Sequence, residues 1–291
     1  MSTDQQWDIV SGIGITALAV AAARAVETSR PDALIQDPYA VRFVEEARPP
    51  VPMPTTAAEA EADGARRYWP DTSTYIAVRT RAFDDFFQEA VAAGVTQAVV
   101  LAAGLDARAF RLPWPAGTVV YEIDQPLVLD FKLRVLREQG VAASCEHRPV
   151  AVDLRNDWAT ALEAAGFDRS RPTAWLAEGL LPYLPPEAEE ELFQEIHRLS
   201  TPGSRFAVET FGNAWVVTRS EEAAEGSVRS LGVDITSLIH TDQRPKPADR
   251  LTELGWRTRS VPAEEAAAAH GRPLSEEFAK REAVHVFAEL S

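Results

Sequence analysis

Residues 97 to 131 read QAVVLAAGLDARAFRLPWPAGTVVYEIDQPLVLDF, and this stretch decides the fold. Its first seven residues form an apolar run that predicts a buried strand, and Gly104 predicts a tight turn after it. A second apolar run, residues 118–124, predicts another strand and ends in two acids, Glu122 and Asp124. Strand, glycine turn and a second strand ending in an acid are typical of the first half of a nucleotide-binding βαβ unit.

The glycine pattern of this turn is wrong for a dinucleotide. A pyrophosphate group is bound by a G-x-G-x-x-G turn, whereas residues 102–107 (AAGLDA) keep one glycine and add the acid Asp106. This difference counts against an NAD-type dehydrogenase. An acidic turn repels phosphate and suits a cationic cofactor that carries a ribose but no phosphate. S-adenosylmethionine (SAM), a sulfonium, fits that description, with Asp124 where a ribose-binding acid is expected.

Beyond this stretch, predicted strands and helices alternate, which indicates a parallel sheet covered by helices on both faces. Strands are predicted at 97–103, 118–124, 147–152, 173–178, 204–210, 256–261 and 283–290. Helices are predicted between them at 126–139, 156–165, 187–200 and 247–254. Five alternating units followed by two further strands predict the α/β fold of a Rossmann-like class I methyltransferase, with a mainly parallel seven-stranded sheet.

The chain ahead of the sheet is predicted to be helical. Residues 8–47 carry apolar residues at helical spacing, and residues 75–93 predict a long amphipathic helix. Between them, the proline-rich residues 48–54 and an acidic, alanine-rich stretch predict a mobile surface segment.

Two domains are expected from these elements. Residues 1–74 would form an N-terminal helical lid that includes the proline-rich segment. Residues 75–291 would form the methyltransferase domain, with a lid insertion at about 211–245. At 291 residues and 46% hydrophobic content, the chain is long enough to bury a substantial core.

Composition and charge exclude several classes of partner. The formal net charge is −15 and no run of Lys or Arg interrupts it, which argues against nucleic acid. The N-terminus lacks the features of a signal peptide, and the apolar stretch 13–25 is too short to span a membrane. A single cysteine, Cys145, excludes an internal disulfide and a cysteine-based zinc cluster. We therefore expect a cytoplasmic protein without a membrane partner, and the sequence leaves its oligomeric state open.

Several separated motifs resemble one family. In chain order they are ITALAVAAARAVET, LIQDPYA, YIAVRTRAFDDFF, VVLAAGLDARAFRL, VVYEIDQP and LAEGLLPYLPPE. Together they resemble the leucine carboxyl methyltransferase family, above all its bacterial branch of SAM-dependent methyltransferases and polyketide O-methyltransferases. The resemblance covers about residues 12–203, and from about residue 211 onward it holds only in outline. It implies SAM as the cofactor and methyl transfer as the reaction.

The resemblance also implies which side chains hold the amino-acid part of SAM and its ribose. Arg79 would bind the methionine carboxylate through its forked guanidinium, with Arg81 as the alternative. Glu178 would face the methionine amine, close to the reacting methyl. Asp124 would bind the ribose hydroxyls, and Glu122 would help to fix the loop or the amine.

Four further residues complete the predicted cofactor site. Ala103 and Gly104 would let the backbone approach the amino-acid part of SAM, since glycine carries no Cβ. Asp153 would accept a hydrogen bond from the exocyclic amine of adenine, and the Leu154 amide would donate to a ring nitrogen.

Each polar assignment has a structural alternative. Arg79 would instead pair with Asp84 or Asp85 on its own helix. Glu178 would be a buried acid paired with Arg79, a pairing that does not exclude contact with the cofactor. Asp153 would cap the helix predicted to follow it, since Asp is a preferred N-cap residue.

The acceptor and any general base are less well defined. Tyr183 would line the acceptor pocket or merely pack. None of the five histidines has metal-ligand or triad spacing, so no metal site is expected, and only His240 is considered as a base. A carboxylate is already ionised at neutral pH, so the lack of an obvious base favours a carboxyl acceptor. A small molecule, or a peptide or protein C-terminus, would supply it; a SAM-binding protein without catalysis is the remaining alternative.

A carboxylate acceptor also needs local positive charge, because the protein is strongly acidic. The candidates from the predicted lid segments are Arg24, Arg30, Arg219 and Arg229.

Overall fold

A seven-stranded sheet forms the centre of the computed structural model, which describes residues 8–62, 68–212 and 221–291. The strands are β1 (Gln97–Leu101), β2 (Val119–Asp124), β3 (Glu146–Ala151), β4 (Ala174–Ala177), β5 (Arg205–Thr210), β6 (Trp256–Pro262) and β7 (Val284–Leu290). All seven were predicted from the sequence, with bounds that differ by two residues at most. Their order across the sheet is β3-β2-β1-β4-β5-β7-β6.

The connections between the strands create a crevice at the carboxyl ends of the parallel strands. Strands β1 to β5 pair in parallel, and β7 runs antiparallel to both β5 and β6. The chain moves outward from β1 through β2 to β3, then returns to place β4 on the other side of β1. In such a sheet, ligands bind beyond the carboxyl ends of the strands at the point where the strand order reverses. The predicted fold class is therefore confirmed.

Helices cover both faces of this sheet. In the described ranges they are α1 (Gly14–Thr28), α2 (Ala40–Ala47), α3 (Ala57–Ala62), α4 (Tyr68–Ala92), α5 (Arg108–Arg111), α6 (Pro126–Glu138), α7 (Trp158–Ala164), α8 (Pro186–Arg198), α9 (Glu221–Leu231), α10 (Pro247–Glu253), α11 (Ala263–Ala269) and α12 (Glu276–Ala279). Short 3-10 helices occupy Leu181–Tyr183 and Ile235–Ser237. None of the described helices is long and apolar enough to cross a membrane.

Alternation along the strands divides the core between the two faces of the sheet. In β1, Val99 and Leu101 belong to the cluster that packs on α7 and α8, whereas Ala98 and Val100 pack toward α4. Successive side chains of a strand point to opposite faces, so a run that is apolar throughout is buried on both sides. This burial holds the strand ends, and therefore the crevice, in fixed positions.

The N-terminal helices pack on the rest of the molecule. Ile15 and Leu18 of α1 share a buried cluster with Phe43 of α2, Trp69 of α4 and Leu105 after β1. Helix α4 begins at Tyr68, so the predicted domain boundary between residues 74 and 75 falls within this helix. The division into a lid and a catalytic domain stays a prediction.

The proline-rich residues 48–54 and the insertion at 211–245 differ in local structure. Residues 48–54 contain neither helix nor strand, as their proline content predicted. The acidic, alanine-rich stretch after them was predicted to belong to a mobile surface segment, but it forms α3, and Met53 and Ala60 are buried in a core cluster. The described part of the insertion contains α9 and a short 3-10 helix. Arg219 lies outside the described residues.

Candidate cofactor and active site

A cavity of about 290 Å³ opens at the carboxyl ends of β1, β2 and β4. Eight residues that the sequence predicted for the site line it: Arg79, Ala103, Gly104, Asp124, Asp153, Leu154, Glu178 and Tyr183. Helix α1 closes one side with Ile13, Thr16, Ala17, Val20 and Arg24. The strand ends thus bring together groups that are up to 104 residues apart in the sequence.

The turn after β1 approaches both α1 and the end of β2. Gly104 has a φ of +49°, which favours glycine, and a Cβ added there would lie 3.1 Å from the Cβ of Ala17. Its backbone N–H donates to Asp124 Oδ2 over 2.6 Å, and the N–H of Gln125 donates to Oδ1 over 2.7 Å. Burial raises the pKa of Asp124 although these two amides lower it. The turn therefore fixes the orientation of the carboxylate at the cavity wall.

Arg79 lies at the cavity between two carboxylates. Its Nε donates to Glu178 Oε1 over 2.8 Å, and its Nη1 donates to Glu209 Oε1 over the same distance. Asp85 pairs instead with Arg81, and both of those side chains are exposed. The alternative that Arg79 is a surface residue paired on its own helix is therefore wrong.

Glu178 is held between Arg79 and a second buried guanidinium. Arg108 Nη1 donates to Glu178 Oε2 over 2.6 Å, and its Nε donates to Asp84 Oδ1 over 2.7 Å. Burial alone would raise the pKa of Glu178, but Arg108 and Arg79 outweigh it and hold that pKa well below its usual range. Glu178 is thus an ionised carboxylate that presents a fixed negative charge to the cavity.

Three buried cations hold the turn that carries Gly104. Arg24 Nη2 donates to the Leu105 carbonyl over 2.7 Å, and Lys132 Nζ donates to the Asp106 carbonyl over 3.1 Å. Arg108 pairs with the Asp106 side chain and also donates to that carboxylate from its backbone N–H over 2.7 Å. The turn is therefore supported from α1, from α6 and from its own following helix.

Glu122 requires a correction. It was predicted to help to fix the loop or to contact the amine of the cofactor; its fully buried carboxylate is not part of the cavity lining, so the contact with the amine is wrong. Its Oε2 is 2.7 Å from Lys132 Nζ and 2.6 Å from His147 Nε2. Glu122 shares one side of β2 with Asp124, but it lies two residues, about 6.6 Å, further back along the strand. It therefore supports Lys132 beneath the turn.

Asp153 and Leu154 form another wall of the cavity. Asp153 Oδ2 accepts from Gln125 Nε2 over 2.8 Å, and the carboxylate also pairs with Arg155. The alternative that Asp153 caps the next helix is wrong, because Asp157 is the N-cap of α7. Asp153 instead accepts from the backbone N–H of Arg155 over 2.9 Å, and the role of both residues in binding adenine stays a prediction.

Tyr183 and His240 were the residues predicted near the acceptor. Tyr183 lines the cavity opposite Thr16 of α1, and burial raises the pKa of its phenol. The His240 imidazole does not line the cavity; its Nδ1 is 3.7 Å from Asp242 Oδ2. Its backbone N–H donates to the Pro182 carbonyl over 2.8 Å. The structure therefore brings Tyr183, but not the His240 side chain, to the cavity.

The arginines proposed to attract an acceptor lie in different places. Arg24 lines the cavity, but its Nε is 3.0 Å from Asp37 Oδ2 and its Nη2 bonds Leu105. Arg30 and Arg229 do not line it, and they pair with Glu27 and Glu225 respectively. Across the described ranges, no group of three or more His, Cys, Asp or Glu side chains is arranged to hold a metal ion.

Comparisons with known proteins show the family to which the chain belongs. The model of the family described as leucine carboxyl methyltransferase matches residues 17–197. A Saccharopolyspora erythraea protein named "Putative S-adenosyl-L-methionine-dependent methyltransferase" is 53% identical over 276 residues, covering 95% of this chain and 94% of that protein. A Rhodococcus jostii protein of the same description is 51% identical over 278 residues, covering 94% and 93%.

A solved structure shows the same fold at low sequence identity. The crystal structure of a DUF574 family protein from Streptomyces avermitilis has a TM-score of 0.55 and 15% identity, covering 92% of this chain and 97% of that one. The chain therefore belongs to the leucine carboxyl methyltransferase family, a family of SAM-dependent methyltransferases. The predictions of the family and of SAM as the cofactor are confirmed.

Replacing Lys132 with Met should destabilise the fold, because the Glu122 carboxylate would lose its buried cation. We expect a loss of about 3 kcal/mol in the free energy of unfolding, measured by chemical denaturation. Arg134→Met on the same helix is the matched control, since the Arg134–Glu138 pair is exposed. That control should lose less than about 0.5 kcal/mol. Equal, small losses in both variants would contradict a buried ion pair beneath the turn.

His285 is a further buried group close to Arg79. Its ring packs against Phe83 and Tyr75, with centroids 5.4 Å and 6.3 Å away. Neither ring nitrogen has a hydrogen-bond partner among the described residues. Burial, and then the charge of Arg79, lower the pKa of His285 to about 4. The folded protein therefore keeps this imidazole neutral at a pH where the unfolded chain protonates it.

This difference predicts a pH dependence of stability. Between the unfolded pKa of about 6.5 and the folded pKa of about 4, the unfolded state binds the extra proton, so stability falls as pH falls through this window. The effect of His285 alone should reach about 3 kcal/mol below pH 4. Denaturant unfolding of His285→Leu from pH 7 to pH 4 should show a shallower decline, whereas His270→Leu at an exposed site should keep the native slope. An unchanged slope in His285→Leu would contradict the assignment.

Proposed function

We propose that the protein transfers the methyl group of SAM to a carboxylate oxygen of a small-molecule acceptor. The observation that carries this proposal is the lining of the cavity. Among the described residues that line it, the titratable side chains are arginines, carboxylates and one tyrosine, with no histidine, lysine or cysteine. An acceptor that is already ionised suits such a site.

Three groups of residues in the cavity support binding of the cofactor. Arg79 lies where it would bind the methionine carboxylate, and Asp124 would accept from the ribose hydroxyls. The third group, Asp153 and Leu154, would recognise adenine. The φ of Gly104 and its short distance from Ala17 both favour glycine at this position. Because glycine has no side chain, the backbone would be able to approach the amino-acid part of the cofactor.

The charge around the cavity also suits a sulfonium. Three guanidinium groups and four carboxylates form one connected, buried network: Arg79, Arg108, Arg111, Asp84, Asp106, Glu178 and Glu209. Its formal charges leave one negative charge uncompensated. A negative potential in a site of low dielectric constant favours a cation. Because the same potential opposes a carboxylate, the charge of the acceptor would be offset by the bound sulfonium and by Arg24, the candidate arginine that lines the cavity in the described part of the chain.

The residues present are poorly suited to act as a general base. Glu178 is held ionised by two guanidinium groups, so its affinity for a proton is low. Tyr183 keeps its proton, since burial raises the pKa of the phenol. A phenol acceptor, with a pKa near 10, would gain from a positioned base, whereas a carboxylate, with a pKa near 4, needs none.

Methyl transfer then depends mainly on orientation. When bound, SAM supplies an electrophilic methyl carbon on its sulfonium. The chain's own residues would hold the cofactor at both of its ends, through Arg79 and Glu178 on one side and Asp124 and Asp153 on the other. Fixing the reactants in line supplies about 7 kcal/mol or more of the barrier reduction in well-oriented systems. Helix α1 and Tyr183 both line the cavity.

Asp124→Asn should weaken binding of the cofactor product, S-adenosylhomocysteine (SAH). The amide keeps the shape of the side chain but loses one acceptor oxygen and the charge, so we expect a Kd about 10- to 100-fold higher by titration calorimetry. Asp130→Asn on the exposed side of α6 is the control and should bind like the native protein. Native affinity in a folded Asp124→Asn variant would exclude a ribose contact at this residue.

The product of the reaction distinguishes the acceptor classes. We would incubate the protein and methyl-labelled SAM with an extract of the source organism, then treat the labelled product with mild alkali. We expect label of low molecular mass that alkali releases as methanol, as a methyl ester requires. Asp124→Asn incubated in parallel should transfer little label.

Other results would change the proposal in defined ways. Alkali-labile label in the protein or peptide fraction would indicate a C-terminal carboxylate as the acceptor. Label that survives alkali would indicate an ether or an N-methyl group and would contradict carboxyl methylation.

A further inference from the structure

We infer that Glu209 is a positioning residue for the cofactor. It sets the guanidinium of Arg79 so that one edge of this group is available to the methionine carboxylate of SAM. The inference deepens the proposed function and rests on its assignment of Arg79. Glu209 was not singled out in the sequence, and it acts through Arg79, since it does not itself line the cavity.

The contacts of Glu209 tie two elements together. It lies at the carboxyl end of β5 and is fully buried. Its Oε1 accepts from Arg79 Nη1 on α4 over 2.8 Å, and its Oε2 accepts from the Tyr75 hydroxyl on the same helix. Two donors on α4, one to each oxygen, therefore hold this carboxylate in one orientation.

The two carboxylates on Arg79 occupy different edges of its guanidinium. Glu178, after β4, accepts from Nε, and Glu209, at the end of the neighbouring β5, accepts from Nη1. Among the described residues, Nη2 donates no hydrogen bond and is not enclosed as a buried unpaired atom. Residues at two adjacent strand ends thus hold the guanidinium of Arg79, and its Nη2 edge is left for a ligand in the cavity.

Gly179 lies against the guanidinium of Arg79 at the cavity wall. It lines the cavity with a φ of +66°, and a Cβ added there would lie 3.6 Å from Arg79 Nη1 and 3.9 Å from Nη2. A side chain at this position would cover part of the guanidinium on the cavity side. Glycine leaves that side open, as a carboxylate that binds Arg79 requires.

Holding Arg79 in advance matters for affinity. An arginine side chain has many rotamers, and fixing them on binding would oppose association. Glu178 alone would leave the guanidinium free to turn about its Nε contact. Glu209 removes that freedom before the ligand arrives, so its loss should weaken ligands that contact Arg79 and leave other ligands unaffected.

The test compares two ligands that differ in the group that Arg79 binds. SAH carries the amino acid, whereas 5′-methylthioadenosine keeps the adenine, ribose and thioether and lacks both carboxylate and amine. We expect Glu209→Gln to raise the Kd of SAH about tenfold, measured by titration calorimetry on the whole protein, and to leave that of 5′-methylthioadenosine unchanged. Tyr75→Phe, which removes one donor to Glu209, should show a smaller change with the same selectivity.

Arg79→Lys separates failure of this inference from failure of the proposed site. If it weakens SAH alone while both Glu209→Gln and Tyr75→Phe bind SAH normally, Arg79 keeps its role and the positioning by Glu209 is overturned. If Glu209→Gln weakens both ligands equally, its role is general support of the fold, and the inference is again overturned. If Arg79→Lys leaves SAH affinity unchanged, the assignment of Arg79 in the proposed function is wrong. Should Glu209→Gln fail to fold, Tyr75→Phe decides by the same selectivity.

Discussion

The buried guanidinium of Arg108 joins three parts of the molecule that are separate in the sequence. It contacts Asp84 on α4, Asp106 in the turn after β1, and Glu178 after β4. Removing such a group from water costs several kcal/mol, and the cost is offset only where every charged atom finds a partner of good geometry. Because Glu178 also holds Arg79, the position of the cavity's main cation depends on Arg108.

A buried network of this kind stabilises a protein less than a packed apolar core of the same volume would. Its value here lies in fixing the positions of groups at the strand ends before a ligand arrives. The turn at Gly104 shows this directly, since Arg24 and Lys132 hold two of its carbonyl groups. Arg24 lies on α1, so the helix that lines one side of the cavity is also bound to the turn beneath it. One side chain therefore connects the position of α1 with the position of the turn.

The sequence predicted the sheet well because the information is local. Apolar runs of five to seven residues, bounded by glycine and acids, indicate strands that are buried on both faces. Family motifs added most of the cavity residues. The start of α4 at Tyr68 was missed because Pro70 interrupts the pattern, although proline is tolerated in the first turn of a helix. The depth of Glu122 along β2 was not visible from its spacing to Asp124.

Pairings between distant residues could not be predicted. Arg79 and Glu209 are 130 positions apart, and nothing near either residue in the sequence indicates the other. Arg108 pairs with Asp106, two residues away, but its contacts with Asp84 and Glu178 depend on how α4 and β4 pack. Such pairs form only after the sheet and α4 have packed together. The sequence therefore predicted the cavity lining better than the groups that support it.

A crystal structure of the protein with SAH tests this account most directly. We predict the ribose hydroxyls on Asp124, the adenine between Asp153 and Leu154, and the carboxylate on the Nη2 edge of Arg79, with Glu178 and Glu209 still bound to its other edges. SAH bound elsewhere, or with its carboxylate away from Arg79, would contradict the account.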